Sequence, residues 1–179
     1  HIIVIDKLAG LVVHPGIGNK SGTLLNGLLY HCKNLSEISS QRPGVIHRLD
    51  KYTSGVIVFA KNDKSHSFIS TQFEKRKVKK EYKAIVWGNL TKNGYIEGKI
   101  TRDPKNRLAF KMNSINGKDS KSYYEVFENY NIPMTLLNIF PETGRTHQIR
   151  VHLSSLGFPI INDDLYGGKD KNRINSFHQ

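Results

Sequence analysis

Cysteine is almost absent from this chain, and so are the hydrophobic runs that mark membrane proteins. Cys32 is the one cysteine among 179 residues, which excludes an internal disulfide and fits a reducing compartment. No apolar run approaches the roughly 20 residues that a membrane helix needs, and no basic-then-apolar leader precedes the first predicted strand. We therefore expect a cytoplasmic protein that makes no membrane contact.

Acidic residues are scarce relative to basic ones. The chain has 15 Asp and Glu against 27 Lys and Arg, which gives a formal net charge of +12. This excess favours a polyanionic partner, because cations that neutralise phosphates release counterions. A nucleic acid is the first candidate; an anionic membrane surface is the second by charge alone, but no membrane partner is expected. The length suffices for a single domain, residues 1–179, and we expect a monomer.

Several types of functional site lack their defining residues. His147 and His152 lie five residues apart rather than four, and the lone cysteine has no partner, so no metal site is predicted. Residues 16–21 (Gly-Ile-Gly-Asn-Lys-Ser) resemble a phosphate-binding P-loop only faintly. Asn19 stands where a glycine should precede the lysine, and the four-residue spacer is missing. These departures disfavour metal-dependent and nucleotide-hydrolysing enzymes.

Apolar patterns predict short strands among few helices, in no regular alternation. The predicted strands cover residues 2–5, 56–60, 82–86, 123–127 and 134–140. Residues 56–60 are apolar throughout, which is typical of a strand covered on both faces. Residues 99–116 predict an exposed ribbon or loop. This order favours an α+β fold with a mixed sheet over a doubly wound fold.

Two helices are predicted before the middle of the chain. The first follows Thr23, a suitable N-cap, and runs to about residue 30. The second begins at Ser65, and its apolar side would carry Phe68, Ile69, Gln72 and Phe73. A basic turn at residues 75–80 follows it.

A third helix is predicted near residue 150, with Thr146 as N-cap and Gly157 just past its end. Its core stripe would consist of Ile149, Leu153 and Leu156. This stripe leaves His147, Arg150 and Ser154 on a neighbouring face. Arg150 can therefore point along the wall of a site.

Three sequence blocks carry the functional signal. Residues 47–55 (His-Arg-Leu-Asp-Lys-Tyr-Thr-Ser-Gly) set the Asp50 carboxylate among cations, just before an apolar strand. The other two blocks are residues 81–84 (Glu-Tyr-Lys-Ala) and 144–152 (Gly-Arg-Thr-His-Gln-Ile-Arg-Val-His). In content, order and spacing the three blocks resemble those of the RluA-type pseudouridine synthases, which isomerise uridine in RNA.

The resemblance implies a fold and a substrate class. The family fold has a central, mixed, largely antiparallel sheet with flanking helices and a cleft across it. Residues 12–16, 22–26 and 165–168 look most like the subgroup that modifies large-subunit ribosomal RNA, although relatives acting on transfer RNA share the catalytic blocks. Family members commonly have an N-terminal S4-like domain and a catalytic domain that continues beyond residues 177–179. We therefore expect a catalytic domain truncated at both ends.

The reaction itself needs one ionised carboxylate in a pocket poor in water. Burial disfavours the charged form of a carboxylate, and a nearby guanidinium opposes that effect. The resemblance assigns Asp50 as the nucleophile, Arg150 as its ion-pair partner and Tyr82 as the platform for the base. Attack on C1′, attack on C6 and removal of a sugar proton all stay open. No cofactor is expected, because the isomerisation involves neither net redox change nor hydrolysis.

RNA contacts are predicted for a further set of residues, since a target uridine must leave its stack to be modified. Arg48 resembles the residue that enters the space of the flipped nucleotide, although a phosphate contact is the simpler role. The other predicted RNA-binding residues are His47, Lys51, Lys77, Lys79, Lys80, Arg145 and His147. An ordinary solvated surface is the alternative for most of them. The rival to an enzyme is a basic RNA-binding or ribosome-assembly module without catalysis.

Overall fold

The computed structural model describes residues 1–113 and 115–169, and the predicted features at residues 177–179 lie outside this range. The chain divides into two compact units, His1–Val78 and Lys79–Gln179. The single domain expected from the sequence stays a prediction. Each unit has its own sheet, so each is described separately.

The first unit contains a two-stranded antiparallel sheet and two helices. In chain order its elements are β1 (Ile2–Lys7), α1 (Leu24–His31), β2 (Gly55–Ala60) and α2 (Asp63–Glu74). β1 pairs with β2 from Ile2 opposite Ala60 to Lys7 opposite Gly55. Ile57 and Phe59 are fully buried, whereas Val56 is 65% exposed. The prediction that both faces of β2 are covered is therefore wrong at Val56. Alternate residues of this strand face opposite sides, and the side that carries Val56 is covered only toward Ala60, which is fully buried.

The capping box at the start of α1 confirms Thr23 as its N-cap. Thr23 Oγ1 accepts a hydrogen bond from the Asn26 backbone N–H over 3.4 Å, and Asn26 Oδ1 accepts one from the Thr23 N–H over 3.1 Å. These bonds satisfy amide groups that the first turn of a helix leaves unpaired. Leu25 and Leu28 then form the buried face of the helix.

Thr23→Ala is expected to lower the free energy of unfolding by about 1 kcal/mol, because it removes the acceptor at the N-cap. Thr23→Ser keeps the hydroxyl and should retain most of that stability. Urea unfolding of the three proteins measures the difference. An equal loss in the serine variant would assign the effect to the threonine methyl group instead.

Helix α2 differs from its prediction in its start and in its buried face. Asn62 is the N-cap, since its Oδ1 accepts the Ser65 backbone N–H over 2.9 Å, so the helix begins two residues before the predicted start. His66 is the buried residue of the helix, and Phe68 is 66% exposed. The prediction that Phe68 shares the packed side of the helix is wrong, because that side is formed by His66 and by Ile69 and Phe73, three and seven residues later.

The second unit is built on a five-stranded antiparallel sheet. Its elements are β3 (Tyr82–Trp87), β4 (Gly94–Arg102), β5 (Phe110–Asn113), β6 (Lys118–Asn129), β7 (Met134–Pro141) and α3 (Gln148–Ser155). The strand order is β3-β7-β6-β4-β5. Leu153 of α3 packs with Val86, Leu137 and Ile139 in the core of this unit. The predicted α+β class, with largely antiparallel strands and few helices, is confirmed. The end of β4 from Lys99 to Arg102 pairs with β5, so a ribbon lies within the predicted segment 99–116.

The start of α3 also differs from its prediction. His147, with φ of 56°, is the N-cap instead of Thr146, and its side chain makes no capping hydrogen bond. The buried Gln148 side chain instead supplies a hydrogen-bond acceptor at the start of the helix, because its Oε1 accepts the Arg145 N–H over 3.0 Å. Leu156 is 39% exposed, so it was wrongly included in the core stripe. Gly157 follows the helix with φ of 85°, which agrees with the predicted stop.

Candidate active site

The first unit holds Asp50 in a tight turn that is tied to the end of β1. The Thr53 N–H donates to the Asp50 carbonyl over 3.1 Å, which closes the turn. The carbonyl of Lys51 accepts the Gly10 N–H over 2.8 Å and the Lys7 ammonium over 3.1 Å. The partly buried Asp50 carboxylate therefore projects from backbone that is fixed on both sides.

Lys7 is a buried cation that the sequence analysis missed. Only 1% of this residue is exposed, and its ammonium donates to the carbonyls of Leu8 and Leu11 over 2.9 Å each, besides that of Lys51. Burial lowers the pKa of Lys7, and attraction by the Asp50 carboxylate opposes this shift. Asp50 thus has a cationic neighbour within its own unit.

The residues around Asp50 divide into anchored and exposed ones. His47 Nε2 accepts the Val58 N–H over 3.0 Å, and its ring stacks on Phe73 at 4.9 Å between centroids. His47 therefore fixes this segment against β2 and α2. Arg48 and Lys51 are exposed, which is compatible with the RNA contacts predicted for them.

The second unit contains Tyr82 and Arg150. Tyr82 is the first residue of β3 and packs, partly buried, against the core of that unit. Arg150 lies in α3, and its Nε and Nη2 donate to the two carboxylate oxygens of Asp163 over 2.7 and 2.9 Å. The ring of Tyr166 lies 4.9 Å from the guanidinium carbon. Asp163 was not among the predicted site residues, and Tyr166 was noted only as part of a family motif.

The predicted side of α3 is confirmed by what it contacts. His147 Nδ1 lies 2.8 Å from the Tyr166 hydroxyl, and Ser154 Oγ donates to the Tyr166 carbonyl over 2.9 Å. Together with the Arg150 ion pair, these contacts place His147, Arg150 and Ser154 against the segment 163–166. The i, i+3 and i+4 spacing was enough to group them.

Two other predicted RNA-binding residues of this unit are held by protein carbonyls. Arg145 Nε donates to the Asp119 carbonyl over 2.8 Å, and the Lys80 ammonium donates to the Thr143 carbonyl over 3.0 Å. Lys77 and Lys79 are exposed. Asp50 lies in the first unit and Tyr82 and Arg150 lie in the second, so the meeting of the three in one site stays a prediction.

His152 belongs to a buried polar network rather than to an exposed site. Its Nε2 lies 2.8 Å from Ser120 Oγ and its Nδ1 lies 3.1 Å from Ser122 Oγ. Burial lowers the pKa of His152 to about 4, so the ring is neutral near pH 7. The sequence places His152 in the third block without indicating this burial.

The first unit also brings together a serine, a histidine and an aspartate, but their hydrogen bonds do not run in the direction that a serine hydrolase requires. Ser36 Oγ donates to Asp63 Oδ1 over 2.7 Å and lies 2.8 Å from His66 Nδ1. A serine nucleophile must instead donate its proton to the histidine. Ser36 is also buried, so this cluster joins α2 to the segment between α1 and β2 and is structural.

Within residues 1–113 and 115–169, no group of three or more His, Cys, Asp or Glu side chains could hold a metal ion. In the same range, no helix has both the length and the apolar character required to cross a membrane.

Comparison with known protein sequences gives a family match over most of the chain. The family model described as RNA pseudouridylate synthase matches residues 1–155. A Nitrosomonas europaea protein named ribosomal large subunit pseudouridine synthase D is 47% identical over 167 residues, which cover 93% of this chain and 47% of that protein. A Pseudomonas aeruginosa protein of the same name is 45% identical over 169 residues, covering 94% and 52%. The chain thus spans about half the length of these curated relatives.

Two human proteins of known structure have a similar fold. The structure of human RNA pseudouridylate synthase domain containing 1 matches with a TM-score of 0.78 and 26% identity, over 97% of this chain and 69% of that one. The structure of human RNA pseudouridylate synthase domain containing 4 matches with a TM-score of 0.69 and 28% identity, over 97% and 67%.

Proposed function

The chain belongs to the RNA pseudouridylate synthase family, and from this membership we propose that the protein converts specific uridines of RNA into pseudouridine. The observation that carries the proposal is the extent of the family match, because residues 1–155 include Asp50, Tyr82 and Arg150. The net charge of +12 supports a polyanionic substrate.

The proposed reaction is an isomerisation without a cofactor. The C1′–N1 bond of the uridine breaks, the uracil rotates, and a C1′–C5 bond forms. The proton of C5 leaves to solvent and N1 gains one, so atoms and electrons balance without an oxidant or reductant. Asp50 starts this sequence by attacking C1′, by attacking C6 or by removing a sugar proton, and these three routes stay open.

The proposed roles of the three residues follow their chemistry. Asp50 is the carboxylate that reacts, and the buried Lys7 ammonium is its cationic neighbour in the same unit. Arg150 is the proposed ion-pair partner of Asp50. Tyr82 supplies an aromatic face on which the extruded uracil stacks, an interaction worth about 1–3 kcal/mol. Arg48 and Lys51 contact the RNA around the flipped nucleotide.

Large-subunit ribosomal RNA is the proposed substrate, because the relatives from Nitrosomonas europaea and Pseudomonas aeruginosa are named for it. Transfer RNA is the alternative substrate for the same chemistry. We further propose that the protein acts in the cytoplasm and that it is a monomer.

Release of tritium from RNA labelled at uridine C5 tests the proposed activity. The enzyme releases tritium, whereas a ribosome-assembly factor without catalysis binds the same RNA and releases none. Mapping pseudouridines in ribosomal and transfer RNA, with and without the full-length protein, then identifies the substrate.

The basic turn at residues 75–80 is expected to contact the RNA backbone. Replacing the exposed Lys75, Lys77 and Lys79 by alanine should weaken binding of every RNA alike. It should also reduce the log–log salt slope by about 2, since each phosphate contact to a single strand contributes about 0.7. Affinities measured across a salt series check this prediction. Lys80 is kept because it donates to the Thr143 carbonyl.

A matched control removes the same charge elsewhere, at the exposed residues Lys20, Lys33 and Lys92. This control should leave the salt slope almost unchanged. Equal effects of the two triple substitutions would assign binding to overall charge and contradict a contact at residues 75–80.

A further inference from the structure

The Asp163 carboxylate orients the Arg150 side chain, and we propose that Asp163 is a positioning residue for uridine isomerisation. The inference rests on the proposed function, in which Arg150 pairs with the reacting Asp50 carboxylate. Asp163 itself acts only through Arg150.

Two parallel hydrogen bonds join Arg150 to Asp163. Arg150 Nε donates to Oδ2 over 2.7 Å, and Nη2 donates to Oδ1 over 2.9 Å. A paired contact of this kind fixes the plane of the guanidinium as well as its position. The Asp163 side chain is only 5% exposed, so water competes little for these bonds.

Tyr166 restrains the Arg150 guanidinium from a second side. Its ring lies 4.9 Å from the guanidinium carbon of Arg150, in a cation–π contact. Its hydroxyl accepts the Phe110 N–H over 2.9 Å and lies 2.8 Å from His147 Nδ1, so the ring is itself held in place. The guanidinium is thus restrained along one edge by Asp163 and over one face by Tyr166.

The segment that carries Asp163, residues 160–168, is closed by its own backbone. The Asp163 N–H donates to the Ile160 carbonyl over 3.1 Å, and the Gly168 N–H donates to the Asp163 carbonyl over 2.8 Å. A Cβ at Gly168 would lie 1.8 Å from the Ile160 carbonyl oxygen, so this closure requires glycine. The carboxylate is therefore in place before substrate binds, as preorganised catalysis requires.

The ion pair with Asp163 engages only one edge of the Arg150 guanidinium. A guanidinium has five N–H donors, and Asp163 accepts from two of them, at Nε and Nη2. The donors at Nη1 lie on the other side of the group, and the proposed function assigns them to Asp50. Without Asp163, Arg150 could adopt other rotamers, and a misplacement of about 1 Å at a reacting centre costs on the order of 100-fold in rate.

Asp163→Asn tests this role, because it keeps the size of the side chain and removes one of the two acceptor oxygens. We expect kcat for pseudouridine formation to fall roughly 10- to 100-fold while KM for RNA changes little, which is the signature of a lost transition-state contact. The rate is expressed per folded molecule, with the folded fraction taken from urea unfolding. An ion pair that only fastens α3 to the segment 160–168 would change the folded fraction and leave this rate unchanged.

The matched control is Asp164→Asn. This neighbouring carboxylate is exposed and pairs with Lys169, so the substitution makes the same charge change next to the site. Its kcat should equal that of the parent protein. If Asp163→Asn does not fold, Asp163→Glu provides the second variant, because it keeps the charge but shifts the carboxylate by one methylene. It should then show the reduced kcat.

The outcomes separate this inference from the proposed function. A parent protein that forms pseudouridine, together with a folded Asp163 variant at full kcat, overturns the positioning role alone. A parent protein that forms no pseudouridine in any RNA overturns the proposed function, and the positioning role with it. A reduced kcat in a folded Asp163 variant, with Asp164→Asn unaffected, supports the inference.

Discussion

Asp50→Asn is expected to bind RNA with nearly the affinity of the parent protein and to form no detectable pseudouridine. The substitution preserves the shape of the side chain, and the backbone of the turn is held by contacts that do not involve the carboxylate. A neutral amide can neither attack the sugar or base nor accept a proton at neutral pH. The rate should therefore fall at least about 1000-fold, the scale on which loss of a nucleophile acts.

Tritium release and RNA binding, measured on the same preparations, check this prediction. Asp164→Asn, which neutralises an exposed carboxylate, serves as the control and should keep full activity. Measurable isomerisation by Asp50→Asn would remove Asp50 from the role of nucleophile. Loss of RNA binding along with activity would instead point to a role of the carboxylate in the structure of the turn.

Acidification is expected to lower the free energy of unfolding through His152. The pKa of this buried histidine is about 4 in the folded protein, below its ordinary value of 6.5. Between these two values the unfolded chain binds a proton that the folded chain does not, so stability rises with pH. The contribution is fully present above pH 6.5 and is lost as the pH falls toward 4. The shift corresponds to about 3 kcal/mol.

Burial is the cause of this effect, because an imidazolium in the core would be poorly solvated. Ser120 Oγ donates to the Gly98 carbonyl over 2.7 Å, so it accepts the proton of His152 Nε2. Gln148 Nε2 donates to Ser122 Oγ over 2.9 Å, which leaves the Ser122 hydroxyl to donate to His152 Nδ1. The network thus matches a neutral ring.

Urea unfolding at pH 7, 6, 5 and 4.5 measures this contribution. His152→Gln should be less stable than the parent at pH 7 but should lose much less stability on acidification. His31→Gln, at an exposed position, should keep the full pH dependence. The same pH dependence in His152→Gln and in the parent would assign acid sensitivity to other groups.

Local sequence patterns were sufficient to predict much of the fold and to identify the family. Short apolar runs located β1, β2, β3, β7 and part of β6, because β-branched and aromatic side chains favour extended backbone. The more polar β4 and β5 were predicted only as a ribbon or loop. Thr23 was identifiable as an N-cap because threonine is a preferred residue there and stands directly before the apolar positions of the helix. The grouping of His147, Arg150 and Ser154 followed from helical spacing alone. The three blocks with Asp50, Tyr82 and Arg150 identified the family, since residue type, order and spacing all agree.

The burial of particular side chains could not be predicted in the same way. Phe68 and Val56 are apolar yet exposed, whereas Lys7 and His152 are polar yet buried. A local pattern states which residues could share a face, but not which face another element covers. That choice depends on packing between elements that are far apart in the chain.

The chain by itself determined the fold class and the family, because both depend on residue type and on spacing within short segments. The resemblance to the family then implied the three residues proposed for catalysis. Only the tertiary structure decided what surrounds these residues. Lys7 reaches the Lys51 carbonyl across 44 positions, and Asp163 reaches Arg150 across 13. Such contacts depend on the path by which a loop returns to a helix or strand, and no local periodicity encodes that path.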